Sequence, residues 1–225
     1  MTYELAYRLT YTDGREDHIP IQPDPADQRL RPAAGFIPPA WAALTHHQCG
    51  HCTLDPAEHP FCPVAVNIAH AFTGLRNGPS YEPVTLTVET PHRSYRADTT
   101  LQRALSSLLG LISALSDCPH TRPLHPMALH HLPLATEEET FTRALSVLLL
   151  REYLAGRDGR DVAATMETLY ANLNHLNRSF ARRLADAGDS DAAVNAIVLL
   201  DVLARDISFE LSEHLPRMKA LFASA

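Results

Sequence analysis

The sequence predicts an α+β fold: about four antiparallel strands in two N-terminal hairpins, a Cys-rich metal loop inserted between them, and a mainly helical C-terminal half. Three observations carry that reading. Apolar and polar residues alternate over residues 3–11 and again over about 84–97. Apolar residues recur at helical spacing from Leu101 onwards. Prolines crowd the connections between these stretches.

Taken in order, Tyr3, Leu5, Tyr7, Leu9 and Tyr11 share one face of a strand, with Glu4, Arg8 and Thr10 on the other. Thr12-Asp13-Gly14-Arg15 makes the turn, Gly14 supplying the positive φ that a tight hairpin needs. The returning strand carries His18, Ile19, Pro20 and Ile21. Pro20 cannot donate to a ladder, so this strand belongs at an edge. Five prolines between Pro23 and Pro39 keep residues 22–39 irregular, and Trp41 anchors the next loop to the core. Pro63 suits the first position of a short helix over 64–73, with Cys62 as its N-cap and an end near Gly74. Val84–Val88 and Ser94–Ala97 form the second hairpin.

Thr99 or Thr100 caps the next helix, with Gln102 completing a capping box if the cap is Thr99. Its stripe of Leu101, Ala104, Leu105, Leu108, Leu109, Ile112 and Leu115 delivers Cys118 at the C-terminal end, where Cys118-Pro119 opens a further turn. Residues 120–133 read as a second irregular connection. Thr136 with Glu139 is a capping box that starts a helix running to Leu154. After a break at Gly156–Gly159, Asp161 opens a helix towards Ala187. Gly188-Asp189-Ser190 breaks it, Asp191–Ile207 forms another, and a last segment passes Pro216. The reading is one integrated domain over 1–225, with a metal-bearing half (1–133) and a helical half (134–225).

Composition sets the bounds on function. The chain is 45% hydrophobic and 20% charged, with a formal charge of -7. Nucleic-acid binding needs a basic footprint, which this charge argues against. No apolar run approaches the roughly 18 to 20 residues of a membrane span. Met1-Thr2-Tyr3-Glu4 has no basic n-region, so a cytoplasmic location is expected. In that reducing compartment thiols are turned towards metals and away from disulfides. Nothing in the sequence supports a protein partner or a homo-oligomer.

All four cysteines fit one metal centre. Cys49, Cys52 and Cys62 have the spacing Cys-x2-Cys-x9-Cys, and Cys118 stands far downstream; Cys62 and Cys118 are each followed by proline. Four thiolates suit tetrahedral zinc or a [4Fe-4S] cluster. Structural Zn2+ comes slightly ahead because a Cys-x2-Cys turn aims backbone N–H groups at its sulfurs. The cluster gains from the two Cys-Pro steps and from the separation of Cys62 and Cys118, since zinc ribbons usually offer two pairs. Histidines crowd both regions. Of these, His46, His47, His51 and His120 read as donors to the thiolates from outside the coordination sphere, or as ligands of a second metal.

Other readings are weaker. Buried thiols acting as small hydrophobes fit Cys62 and Cys118 better than Cys49 and Cys52, which sit in a polar loop. No signature of a thiol hydrolase surrounds any cysteine, and no residue is assigned a catalytic role. On the helical half, Asp201 sits on an apolar face, and with Asn177 and Asn195 it suggests a polar pocket for a small ligand; pairing with Arg205 is the plainer account. Arg178, Arg182 and Arg183 read as a solvated face.

Several segments bring a family into view: Cys49-x2-Cys52, Cys62-Pro63-Val64-Ala65-Val66-Asn67, Leu101 to Gly110, Ser116-Asp117-Cys118-Pro119, His131 to Thr136, and Asn195 to Asp201. In these the chain resembles a group of uncharacterised bacterial proteins sharing a domain of unknown function. The resemblance implies a Cys-Pro-x-Cys-Pro loop, where this chain has Gly50 and Thr53 at the proline positions. The ligands stay in place and the loop loses rigidity. The resemblance implies relatives and no activity. The expected function is a cytoplasmic, non-catalytic metal-binding protein. The alternatives are a [4Fe-4S] redox or iron sensor or electron carrier, and a ligand-binding module or enzyme using the helical half.

Overall fold

The structure, a computed structural model, describes residues 4–75, 78–188, 191–209 and 211–223. Its N-terminal half is a four-stranded antiparallel sheet of order β2-β1-β3-β4. Strand β1 (Leu5–Tyr11) buries every second residue, as its alternation requires; Tyr3 lies outside the described residues. Strand β2 (Glu16–Ile21) is an edge, with Pro20 opposite Ala6, which is where a residue lacking an N–H is tolerated. Strands β3 (Pro83–Glu89) and β4 (Ser94–Thr100) complete the second hairpin, and β3 pairs directly with β1 across the inserted loop.

Helix α1 (Pro63–Ala71) and helix α2 (Leu101–Leu115) form the next layer. Thr100 is the N-cap of α2, so the box that Gln102 would complete with Thr99 does not form, and the Thr100 side chain makes no capping bond. The free N–H groups of Leu101 and Gln102 donate instead to the Glu82 and Ser80 carbonyls, at 2.9 and 3.0 Å. The expected irregular stretch 120–133 holds a 3-10 turn at Arg122–Leu124 and a short helix α3 (His125–Leu129), each with proline in its first turn.

The C-terminal half is helical. Helix α4 (Glu137–Leu154) starts with the predicted box: Glu139 N donates to Thr136 Oγ1 at 3.2 Å and Thr136 N to Glu139 Oε2 at 2.7 Å. Helix α5 (Val162–Asp186), helix α6 (Asp191–Phe209) and helix α7 (Leu211–Ala223, with Pro216 inside) follow. Of the predicted break after α5, Gly188 takes φ +65°, and Asp189 and Ser190 lie outside the described residues. No described helix is long and apolar enough to cross a membrane.

Two buried clusters make the core, and α5 and α6 contribute to both. The sheet, α1 and α2 pack with Leu176, Phe180 and Leu184 of α5 and with Ala193, Ala196 and Ile197 of α6. The earlier turns of α5 (Met166, Leu169, Tyr170, Leu173) pack with α4 and with Ala204 and Ile207. Where α2 crosses α6, Gly110 faces Leu200, and a Cβ there would make an ordinary contact at 3.5 Å.

One polar contact ties the sheet to this helical layer. The Tyr7 hydroxyl lies 2.9 Å from Ser107 Oγ on α2 and 2.5 Å from His131 Nε2, and Leu134 N donates to the same Oγ. Burial, with Arg143 nearby, pushes the His131 imidazole down to about 3.

Two outcomes follow. His131 is held neutral in the fold while its unfolded counterpart titrates near about 6.5. Its contribution to stability is therefore complete above that value and is lost as pH falls towards about 3. A pH series of urea midpoints will fall over that window, and His131→Gln will flatten it. Thr136→Ala removes the cap of α4 and will cost about 1 kcal/mol by the same measurement.

Candidate metal centre

The Cys-rich loop is closed at its base before any ligand is added. Leu44 N donates to Pro60 O and Cys62 N to Ala42 O, each at 2.9 Å, and Ala43 bridges Phe61. A long excursion thus leaves and re-enters the core at one place. Within it Cys52 N donates to Cys49 O at 2.9 Å, so the first two cysteines lie on a tight turn. Trp41, half-buried, packs against the core beside this base.

Cys62 caps α1, with Pro63 in the first helical position. Backbone N–H groups of Ala65 and Val64 approach its sulfur. Cys118 repeats the device in a different element: it opens a turn in which the N–H groups of His120 and Thr121 approach its sulfur, while Thr121 N and Arg122 N donate to its carbonyl at 3.2 and 3.0 Å. Each Cys-Pro step withholds one N–H and aims the next two at the thiol.

A buried network sets Cys118 against α1. Asn67 Nδ2 donates at 2.9 Å both to Leu30 O and to Ser116 Oγ, and Ser116 Oγ donates to Ile112 O at 2.7 Å. Arg29 pairs with Asp117 at 3.0 Å. The residues just before Cys118 are therefore tied to the helix that Cys62 begins.

The four cysteines are free, Cys62 and Cys118 buried and the other two half-buried. They converge: Cys62 and Cys52 act electrostatically on Cys49, and Cys62 and Cys49 act on Cys118. Burial pushes the Cys49 thiol up, partly offset by a hydrogen bond with Ser179 of α5. Burial likewise raises Cys62 and takes Cys118 up to about 11. Even so, no three of the sulfurs lie within 4.8 Å of one another. Among the described residues, the one trio of His, Cys, Asp or Glu ligand atoms within 4.8 Å of one another is His46, His47 and Asp186.

Arg183 of α5 corrects the sequence reading. Arg178 and Arg182 are exposed, but Arg183 is only 1% exposed and is the largest fully buried side chain. Its Nη1 donates to Trp41 O and Ala43 O at 2.7 Å, and its Nη2 to Leu44 O at 3.0 Å. No carboxylate among the described residues pairs with it, and its Nε has no partner. Burial pulls its pKa down, and Cys62, Cys49 and Cys52 push it back up. The guanidinium is thus a buried cation beside three thiols. The signal was in the sequence: Leu176, Phe180, Arg183 and Leu184 fall at i, i+4, i+7 and i+8, which puts the arginine on the apolar stripe.

The histidines separate into two groups. The His51 ring lies 4.0 Å from that of His120 and 5.4 Å from that of His175, centroid to centroid, and His120 Nε2 donates to His51 O at 2.8 Å. Burial pulls the His51 pKa down, and the other two histidines add to it. His46 and His47 turn away to Asp186, which the sequence reading did not single out.

Asn177, Asn195 and Asp201 do not converge on one pocket. Asn177 is among the residues that line a cavity of about 250 Å3 between α2, α5 and α6, bordered also by Ser107, His131 and Tyr170. Asn195 donates to Asp191 at 2.8 Å. Asp201, 9% exposed, pairs with Arg205 at 2.9 Å, and Arg178 stands 3.9 Å away.

The family described as a domain of unknown function (DUF6901) matches residues 5–223, so the chain belongs to that family. No curated protein and no solved structure matches it.

Arg183→Met will leave the Trp41 and Leu44 carbonyls without donors, and Ala43 O with His46 N alone, and will cost about 3 kcal/mol or more in a urea titration. Arg183→Lys, a single-point donor, will recover only part of the loss.

Proposed function

We propose that Cys49, Cys52, Cys62 and Cys118 hold a single [4Fe-4S] cluster and that the chain is a cytoplasmic electron carrier or redox or iron sensor. The spacing of the sulfurs carries the choice of cluster over zinc. Zinc bonds of about 2.3 Å to tetrahedral thiolates bring sulfurs within about 3.8 Å of one another. No three of these sulfurs come within 4.8 Å. A cluster takes one thiolate per iron, the irons at alternate corners of a cube, and so suits ligands that converge without touching.

The surroundings support the same reading. A four-thiolate cluster is a net anion, and Arg183 supplies a buried positive charge on one side of it. N–H groups of Val64, Ala65, His120 and Thr121 approach two of the sulfurs. Both effects stabilise the more negative, reduced form. When bound, the cluster supplies a one-electron redox couple. The protein's own part is to hold the thiols, keep water from Cys62 and Cys118 and fix the local charge. We assign no catalytic role to any residue.

Zinc remains the competing reading, because Cys49 and Cys52 already share a turn that a small movement would close around one ion. The two differ by colour and content. Protein purified without oxygen will be brown, will contain iron and acid-labile sulfide in equal amounts, and will bleach with dithionite. A colourless protein with about one zinc per chain would overturn the cluster. Cys118→Ser will lower both metal content and melting temperature, since binding at such a site is also folding free energy. A Cys118→Ser protein with full stoichiometry and unchanged melting would reject the four-ligand set.

A further inference from the structure

We infer a second metal site, free of sulfur, formed by His46, His47 and Asp186 for a divalent ion of the zinc type. His46 and His47 lie in the Cys-rich loop just ahead of Cys49, and Asp186 is the last residue of α5, three positions beyond Arg183. His47 Nε2 stands 2.6 Å and His46 Nε2 3.6 Å from Asp186 Oδ2, with the two imidazole rings 4.8 Å apart. An ion bound at about 2.0–2.2 Å by imidazole nitrogen and carboxylate oxygen sets its ligand atoms about 3.3 Å apart. The two observed distances fall on either side of that value, so a small rotation of each ring admits the ion.

One atom argues for an occupant. His46 Nε2 is shielded from solvent and has no hydrogen-bond partner, although it faces a carboxylate oxygen. A buried ring nitrogen without a partner is costly, and a cation between it and the carboxylate removes the cost. Neighbouring residues usually point their side chains apart. Here His47 takes φ +46°, and both rings reach the same oxygen.

The donor set decides the chemistry. Two imidazoles and one carboxylate select zinc, cobalt, nickel or copper over magnesium and calcium, which prefer all-oxygen surroundings. Three protein ligands leave a fourth position for water. Asp186 and His47 are exposed, so the ion enters from solvent without opening the core. Once bound, it ties the cysteine loop to α5 from outside, as Arg183 does from inside. The site uses no sulfur and does not depend on what the cysteines hold.

The test titrates anaerobically purified full-length protein with Zn2+, and separately with Co2+, by calorimetry and absorption. One further equivalent of Zn2+ should bind beyond the metal present on purification. Added Co2+ should give only weak visible bands, without the intense near-ultraviolet absorption of a cobalt–thiolate bond. Asp186→Asn and His47→Ala should each weaken Zn2+ binding at least about tenfold, since even partners outside the coordination sphere contribute that much. His92→Ala, in the exposed β3–β4 turn, should change nothing, and circular dichroism should confirm that all variants fold. No additional equivalent, an equivalent insensitive to Asp186→Asn, or cobalt–thiolate absorption on titration would each overturn the site. Cluster loss bears only on the cysteines, because this readout follows added metal at residues that hold no sulfur.

Discussion

A guanidinium buried without a carboxylate partner among the described residues is the constraint around which the cysteine-bearing half is arranged. Moving such a charge from water into a core costs several kcal/mol unless its donors are satisfied and its charge is balanced. Arg183 meets the first condition through its two terminal nitrogens, which donate to the carbonyls of Trp41, Ala43 and Leu44 at the base of the Cys-rich loop, while Nε has no partner. This fixes where α5 stands relative to the loop, and it brings a positive charge to three cysteines. Carbonyl dipoles satisfy hydrogen bonds but do not neutralise a unit charge. In the proposed centre, thiolates supply that balance.

The thiols are also held by parts that do not depend on one another. The loop is stapled at its base by backbone bonds, Cys62 is fixed by the start of a helix, and Cys118 by the buried contacts of Asn67 and Ser116. Each device is ordinary alone. Together they bring cysteines from a loop, a helix start and a turn after a long helix to one place, which separates this arrangement from a portable zinc finger whose ligands lie in one short segment.

Much of this was legible in the sequence because local rules were obeyed. Alternation placed β1, Pro20 marked the edge strand, Pro63 placed the start of α1, and Thr136 with Glu139 placed the start of α4. The failures have one source: the sequence does not say which element supplies a long-range partner. Thr100 looked like a side-chain cap, but backbone carbonyls before β3 took the N–H groups of α2. Arg183 was grouped with Arg178 and Arg182 by adjacency, although its position on the apolar stripe assigned it to the core. Asp186 and Ser179 were invisible because they matter only through residues more than a hundred positions away. The cysteines themselves were found by counting, and no count revealed how far apart their sulfurs would stand.

Because α5 supplies the buried cation, the order of synthesis bears on assembly. A growing chain presents all four cysteines well before Arg183 emerges, and at about 5–20 residues per second that interval lasts several seconds. During it the thiols face a loop whose base carbonyls lack their donor. The contacts that complete the site span long stretches of sequence, which form late because chain entropy must be lost first. The arrangement of the four cysteines therefore matures only once the C-terminal half has docked. For the proposed centre, the helix that holds the counter-charge sets when the four cysteines come into place.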